Sequence, residues 1–330
     1  MEQENMEQSE YQSRIPVEQV TLMMEKVKDA IGKVIVGQHD MVELLMTALL
    51  SNGHVLLEGV PGVAKTLTAK TLAALIDVEF SRIQFTPDLM PSDVLGTNIF
   101  NPQKGNFEFK KGPIFGNIIL IDEINRSPAK TQAALFEVME EKQITSDGTT
   151  YKMNPPFMVV ATQNPIEHEG TYRLPEAQLD RFLFKININY PNIDEELAIL
   201  NLHHQKNGKQ LLENLTPVIS KDDLDFCRSI ITKVIVEEKL LKYIAQITQD
   251  TRNNPALYLG ASPRASIALL NASKSLAVLR GRDFVTPEDI KDNVLPALRH
   301  RVALTPEKEM EGIDADDILK EILNRIEIPR

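Results

Sequence analysis

The stretch "HVLLEGVPGVAKTLTAKTLAALI", residues 54–76, constrains this chain more than any other. A short apolar run enters a glycine-rich loop, and the loop opens directly into a helical pattern. The loop matches the phosphate-binding signature G-x-x-x-x-G-K-[ST] at Gly59, Val60, Pro61, Gly62, Val63, Ala64, Lys65 and Thr66, except that the signature wants glycine where Ala64 stands. Such a loop works by aiming successive backbone N–H groups and a helix N-terminus at phosphate oxygens. The lysine adds a point charge, and the hydroxyl adds a ligand for Mg2+. Position 64 therefore owes the site an N–H and little bulk. Alanine there costs on the order of 1 kcal/mol relative to glycine if φ is positive, and nothing if it is negative. The cradle, from Gly59 through Leu67 at the helix start, survives the substitution.

Further apolar runs alternate with helical patterns along the first half: "VEFSRIQF", "NIILIDE", "FMVVATQNP" and "FLFKINI". With "HVLLEG" they make five strands joined by helical crossovers. Apolar runs without polar alternation fit a parallel sheet buried on both faces, with a ligand at the C-terminal ends of its strands. Two segments interrupt the alternation and read as hairpins, one between Thr86 and Gly116 and one turning at Asp147-Gly148. Beyond Pro191-Asn192 the strand patterns stop, and helical patterns at 193–206, 222–234, 237–251, 263–281, 286–299 and 314–326 predict an all-helical second domain. The expected organisation is an acidic tail at 1–14, an α/β core at 15–190 carrying both hairpins, and a helical lid at 191–330.

Within that frame, "IILIDEIN" sets adjacent carboxylates at the end of the third apolar run. Asp122 suits the water shell of Mg2+, together with Thr66. Glu123 suits a base that orients and deprotonates an attacking water, since phosphoryl transfer depends on positioning and charge stabilisation. Asn164, ending the next run, is placed to hydrogen-bond that water or a terminal phosphate, or else simply to start the Asn-Pro turn.

Four segments together, "GVPGVAKT", "LIDEINRSPAKTQAALFEVMEE", "FMVVATQNPIEHEGTYRLPEAQLDRFLF" and "GASPRAS", resemble the MoxR family of AAA+ ATPases, over about Val17 to Arg301. Alanine before the P-loop lysine is itself a habit of that family. The resemblance implies a P-loop α/β fold with parallel strand order 5-1-4-3-2, a helical lid, and a ring, usually of six subunits, with ATP and Mg2+ at subunit boundaries. It also implies roles for single residues. Val36 and Gly37 in "IVGQ" resemble an adenine-contacting segment, with a helix-linking loop as the plainer reading. Arg181 in "LDRF" resembles an arginine finger, and Arg264 resembles the sensor-2 arginine; on chain logic alone, each could be an ordinary surface charge. The two hairpins resemble the helix-2 insert and pre-sensor-1 hairpin shared with MCM helicases and magnesium chelatase subunits, a clade with a displaced lid. Arg126 stays open between a second trans-acting arginine and a helix-start salt bridge. "MEEKQ" reads as a solvated helix end.

The resemblance points to an ATP-driven remodelling chaperone for client protein complexes. A von Willebrand factor A partner would have to be a separate polypeptide, because the chain lacks a D-x-S-x-S motif. A DNA-translocating motor is the alternative. The formal charge of −11, from 36 basic and 47 acidic residues, disfavours nonspecific attraction to nucleic acid or an anionic membrane. A single cysteine, Cys227, permits no intrachain disulfide and reads as a buried apolar group. His203-His204 reads as a solvated helix end, because adjacent residues do not face one direction. No apolar stretch approaches the roughly 20 residues of a membrane helix, so a cytoplasmic protein without membrane insertion is expected.

Overall fold

A computed structural model describes residues 14–60, 62–165, 172, 174–206 and 215–329. The tail expected at 1–14 lies outside that range except for Arg14, as does Pro61 of the loop. Five strands form one parallel sheet: β1 (Val55–Gly59), β2 (Phe80–Gln84), β3 (Ile118–Asp122), β4 (Met158–Gln163) and β5 (Phe184–Ile188). Their spatial order is β2-β3-β4-β1-β5, the 5-1-4-3-2 arrangement.

The uninterrupted apolar runs exist because both faces of this sheet are covered. Val55 and Leu57, Ile118 and Leu120, and Met158 and Val160 point into one core, with the helices Val17–Gly32, His39–Leu50 and Lys65–Leu75. Leu56, Ile119, Ile121, Val159 and Ala161 point into the other, beneath the helix Ala129–Glu141. Each fully buried aliphatic side chain contributes about 1.5–3 kcal/mol, so the sheet's centre is the stable platform from which the loops project.

Both hairpins form. The first pairs Gly96–Asn101 with Asn106–Lys111, and the second pairs Gln143–Ser146 with Thr149–Lys152 across a turn in which Asp147 and Gly148 have φ of 47° and 77°. That left-handed pair is what an Asp-Gly hairpin turn requires. The hairpins lean on each other through stacked Phe109 and Tyr151, whose centroids are 4.4 Å apart. Ile99, Phe100 and Phe107 of the first remain exposed.

The second half is helical, as expected, but two short strands correct the all-helical description. Leu257–Leu259 pairs antiparallel with Ala303–Leu304. Runs of three and two residues carry no period that a sequence pattern could show. Helix Pro263–Leu279 packs on the N-terminal helices Val17–Gly32 and His39–Leu50, and helix Pro287–Leu298 packs on β5. Cys227 is buried, its thiol pushed up to about 11 chiefly by desolvation, in keeping with an inert core residue. No helix among the described residues is long and apolar enough to cross a membrane.

Candidate active site

The C-terminal edge of the sheet gathers the loop after β1, the carboxylates after β3 and the amide after β4. Gly59 approaches β5 so closely that a Cβ there would lie 2.8 Å from the Ile188 carbonyl oxygen. Gly62 and Ala64 both adopt positive φ, 88° and 58°. Ala64 therefore sits in the left-handed conformation, which raises its cost by about 1 kcal/mol and curls the chain so that the following amides open the helix Lys65–Leu75. No side chain caps that helix. A helix start is where backbone N–H groups, here those from Lys65 to Leu67, can meet a phosphate. The Lys65 ammonium folds back onto the Gly59 carbonyl at 2.6 Å, lying over the loop it would serve. Val60 and Thr66 are half-buried, and Val63 is buried.

Asp122 and Glu123 are held by residues on the flanking strands. Thr162 of β4 accepts from the Glu123 N–H at 3.1 Å and donates to Asp122 Oδ1 at 3.3 Å. Arg82 of β2 reaches Asp122 Oδ2 at 2.7 Å. Glu123 adopts φ 58°; its Oε2 accepts from Gln84 Nε2 at 2.7 Å and forms an ion pair with Arg126, whose Nε lies 3.0 Å away. Arg126, left open by the sequence, is thus a partner of Glu123 in this chain. Asn164 is buried at the end of β4. Thr162, Gln84 and Arg82 escaped the sequence reading; only the strand register, which sets Gln84 opposite Asp122, brings them in.

A cleft of about 310 Å³ lined by Gly59, Val60, Pro165 and Asn187–Tyr190 covers the loop. It shares Asn187, Asn189 and Tyr190 with a larger one of about 750 Å³, which runs on to Gln38, Glu195, Arg280 and Lys291. Gln38 lines the larger cleft and, like Gly37 before it, has left-handed backbone (φ 54° and 66°); Gln38 Nε2 donates to the Asn189 carbonyl at 3.1 Å, while Val36 and Gly37 are not among the cleft's lining residues.

The two remaining candidates lie elsewhere. Arg181 and Arg264 line a separate cleft with Asn52, Gly53 and His54, which precede β1. Five strand residues, about 16 Å at ~3.3 Å each, separate that end of β1 from the phosphate loop. Both arginines contact Glu140: Arg181 Nη1 at 2.7 Å from Oε2, and Arg264 Nη2 at 2.5 Å from Oε1. The reading of "MEEKQ" as a merely solvated helix end is corrected here, since Glu140 joins two cations from distant parts of the chain. His203 and His204 are exposed, and among the described residues no His, Cys, Asp or Glu cluster suits a metal ion.

Comparison with known proteins agrees with this fold. Residues 54–184 match the family model described as "ATPase family associated with various cellular activities (AAA)", and residues 249–322 match "AAA lid domain". The chain is 42% identical over 321 residues to Chaperone MoxR1 of Mycobacterium tuberculosis, covering 93% of this chain and 82% of that one. It is 48% identical over 307 residues to the uncharacterized protein YeaC of Bacillus subtilis, covering 93% and 95%. The crystal structure of an ATPase candidate from Cytophaga hutchinsonii superposes with a TM-score of 0.88 at 45% identity, covering 95% and 97%.

Proposed function

The chain belongs to the MoxR family of AAA+ ATPases, and from that premise we propose that it hydrolyses ATP to ADP and phosphate at sites shared between subunits of a ring, probing and remodelling a client protein complex with the energy released. The core at 15–190 would carry the chemistry, and the lid at 191–330 would close over it. The supporting observation is the division of the candidate residues between opposite ends of β1. The loop and carboxylates lie at one end and the arginine pair at the other, so the full set needs two chains.

In this reading the amides from Gly59 to Leu67 and the Lys65 ammonium hold the phosphates, while Val36 and Gly37 border the base. The donor set suits the nucleotide: an uncapped helix start, two left-handed residues that converge the amides, and a lysine resting on the loop. Thr66 and Asp122 would hold Mg2+, which when bound supplies charge neutralisation on the phosphates. Glu123 accepts a proton from the attacking water. Thr162 fixes the Glu123 backbone, and Gln84 with Arg126 fixes its carboxylate, so the base is aimed before substrate arrives. Asn164 donates to the water or the terminal phosphate. Arg181 and Arg264 of the adjoining subunit meet the charge that develops on the transferred group.

Client work would fall to the exposed Phe100 and Phe107 on the first hairpin, moved with the second through the Phe109–Tyr151 stack. A separate von Willebrand factor A protein is a candidate partner, and the cytoplasm the candidate compartment.

Mixing tests the shared site. Lys65→Ala subunits keep the arginines, and Arg181→Ala subunits keep the phosphate loop, so a mixture regains turnover that neither has alone. Specific activity also rises with protein concentration. Activity independent of concentration, with no rescue in a mixture shown by mass to co-assemble, overturns the reading.

A further inference from the structure

Helix Ala129–Glu141 ends on two glutamates, and a carboxylate in a last turn faces the negative end of the helix dipole. Local chemistry therefore disfavours Glu140, and what compensates for it comes from far along the chain. Arg181, on the turn before β5, donates Nη1 to the Phe136 carbonyl at 2.7 Å, and the same nitrogen makes an ion pair with Glu140 Oε2 at 2.7 Å. Arg264, in the first turn of helix Pro263–Leu279, donates Nη2 to Glu140 Oε1 at 2.5 Å. One carboxylate thus spans a core arginine and a lid arginine that would otherwise repel each other.

The backbone around all three residues is tied. Met139, before Glu140, has its carbonyl on His54 Nε2 at 3.2 Å. Asp180, before Arg181, accepts from Arg301 Nε at 2.7 Å and from Ser262 Oγ at 3.0 Å, and Ser262 lies two residues before Arg264. The ion pairs themselves stay about a third open to water, with Arg181, Glu140 and Arg264 side chains 29%, 34% and 46% exposed. Arg181 Nε is buried and has no hydrogen-bond acceptor among the described residues.

We propose that Glu140 is a positioning residue that holds Arg181 and Arg264 as one oxyanion-receiving pair, set for the terminal phosphate of nucleotide bound by the neighbouring subunit. The proposal rests on the shared-site reading above. A carboxylate offers two adjacent acceptor oxygens to two donors, as a phosphate does, so the pair is ordered before the neighbour docks. The more highly charged phosphate displaces the carboxylate, which swings into solvent, and the arginines need no search of rotamers. Arg181 Nε retains a donor for a further phosphate oxygen.

The test places the substitution on one side of a mixed boundary, with ATP turnover as readout. Lys65→Ala mixed with Arg181→Ala is the reference; absence of rescue there sinks the shared site itself, and this proposal with it. When Glu140→Ala is added to the Lys65→Ala subunit, which donates the arginines, rescued kcat is expected to fall about three- to tenfold, the scale of two part-exposed ion pairs. KM for ATP stays unchanged, because the phosphate loop is on the other chain. When Glu140→Ala is added instead to the Arg181→Ala subunit, rescue matches the reference. Glu140→Gln on the arginine-donating subunit, the variant least disturbing to the fold, gives a smaller loss, since its amide oxygen still accepts from one arginine. With the reference rescued, equal loss in both placements, or no loss or a gain when the arginine-donating subunit carries either variant, overturns the proposal.

Discussion

His54 yields a prediction whose size follows from its surroundings. Its ring is buried between β4 and the end of helix Ala129–Glu141: Nδ1 accepts from the Val159 N–H at 3.0 Å, and Nε2 donates to the Met139 carbonyl at 3.2 Å. That arrangement admits only the neutral ring protonated on Nε2, because an added proton would set a donor against the Val159 N–H. Desolvation by complete burial dominates and lowers the pKa from 6.5 to about 4; the Met139 hydrogen bond opposes this and the Lys142 charge assists it. Since the folded value lies below the unfolded one, the unfolded chain binds more protons in between, and stability rises with pH. The contribution is complete above pH 6.5 and is lost as pH falls through that value toward about 4. At about pH 5 the unfolded imidazole is almost wholly protonated and the folded one about a tenth, so His54 costs about 2 kcal/mol there and almost nothing at about pH 7.5. His300, buried with its pKa well below normal through desolvation, adds loss of the same sign. Urea unfolding at the two pH values should show a drop of at least that size, and in His54→Gln the drop should shrink by about 2 kcal/mol. An NMR titration of the unmodified protein reads the ring directly. A His54 resonance that titrates near pH 6.5 in the folded state would refute the reasoning.

Ala64→Gly relieves a left-handed alanine at φ 58° and should raise unfolding stability by up to about 1 kcal/mol, less the glycine's gain of entropy in the unfolded chain; lower stability in urea denaturation contradicts this. Gln84→Ala, which removes the 2.7 Å donor to Glu123 Oε2, should lower kcat roughly tenfold with ATP affinity by calorimetry unchanged. An unchanged kcat would show that Arg126 alone aims the carboxylate. Single- or double-stranded DNA should not stimulate turnover of a chain carrying −11 charge, and a large, salt-sensitive stimulation would favour the DNA-motor reading.

The strands were legible because burial on both faces leaves unbroken apolar runs such as Ile118–Ile121. The second hairpin was legible because Asp147-Gly148 is turn chemistry that acts within two residues. The phosphate loop and its carboxylates could likewise be read because each works through its own backbone or its immediate neighbours. The supports of those residues could not. Thr162 and Gln84 matter only through the register of β4 and β2 against β3, and both look like ordinary polar strand ends in the sequence. Glu140 meets Arg264 across 124 positions, a distance over which no local pattern speaks.

The conformation of Ala64, which the sequence left open, belongs to a wider pattern. Among the described residues, seven other than glycine take positive φ: Gln38, Asn52, Ala64, Asp77, Glu123, Lys142 and Asp147. Such backbone is costly for an L-residue and persists only where the surroundings hold it. Gln38, Ala64 and Glu123 sit at the phosphate-loop end of the sheet, while Asn52 and Lys142 line the arginine cleft at the other. Asp147 is accounted for by its hairpin turn. Five of the seven thus lie at those two ends of the sheet; Asn52, Asp77 and Lys142 also follow helix ends, where a left-handed residue commonly stops the helix. At Glu123 the αL backbone turns the chain out of β3 into the short turn Ile124–Arg126, which returns the Arg126 guanidinium to the Glu123 carboxylate. At Lys142 it turns the chain out of helix Ala129–Glu141, one residue after the Glu140–Glu141 pair, and the Glu140 carboxylate meets the arginines there. Left-handed backbone at each end therefore orients charged side chains, Glu123 at one and Glu140 at the other, in the manner that the proposed shared site would use.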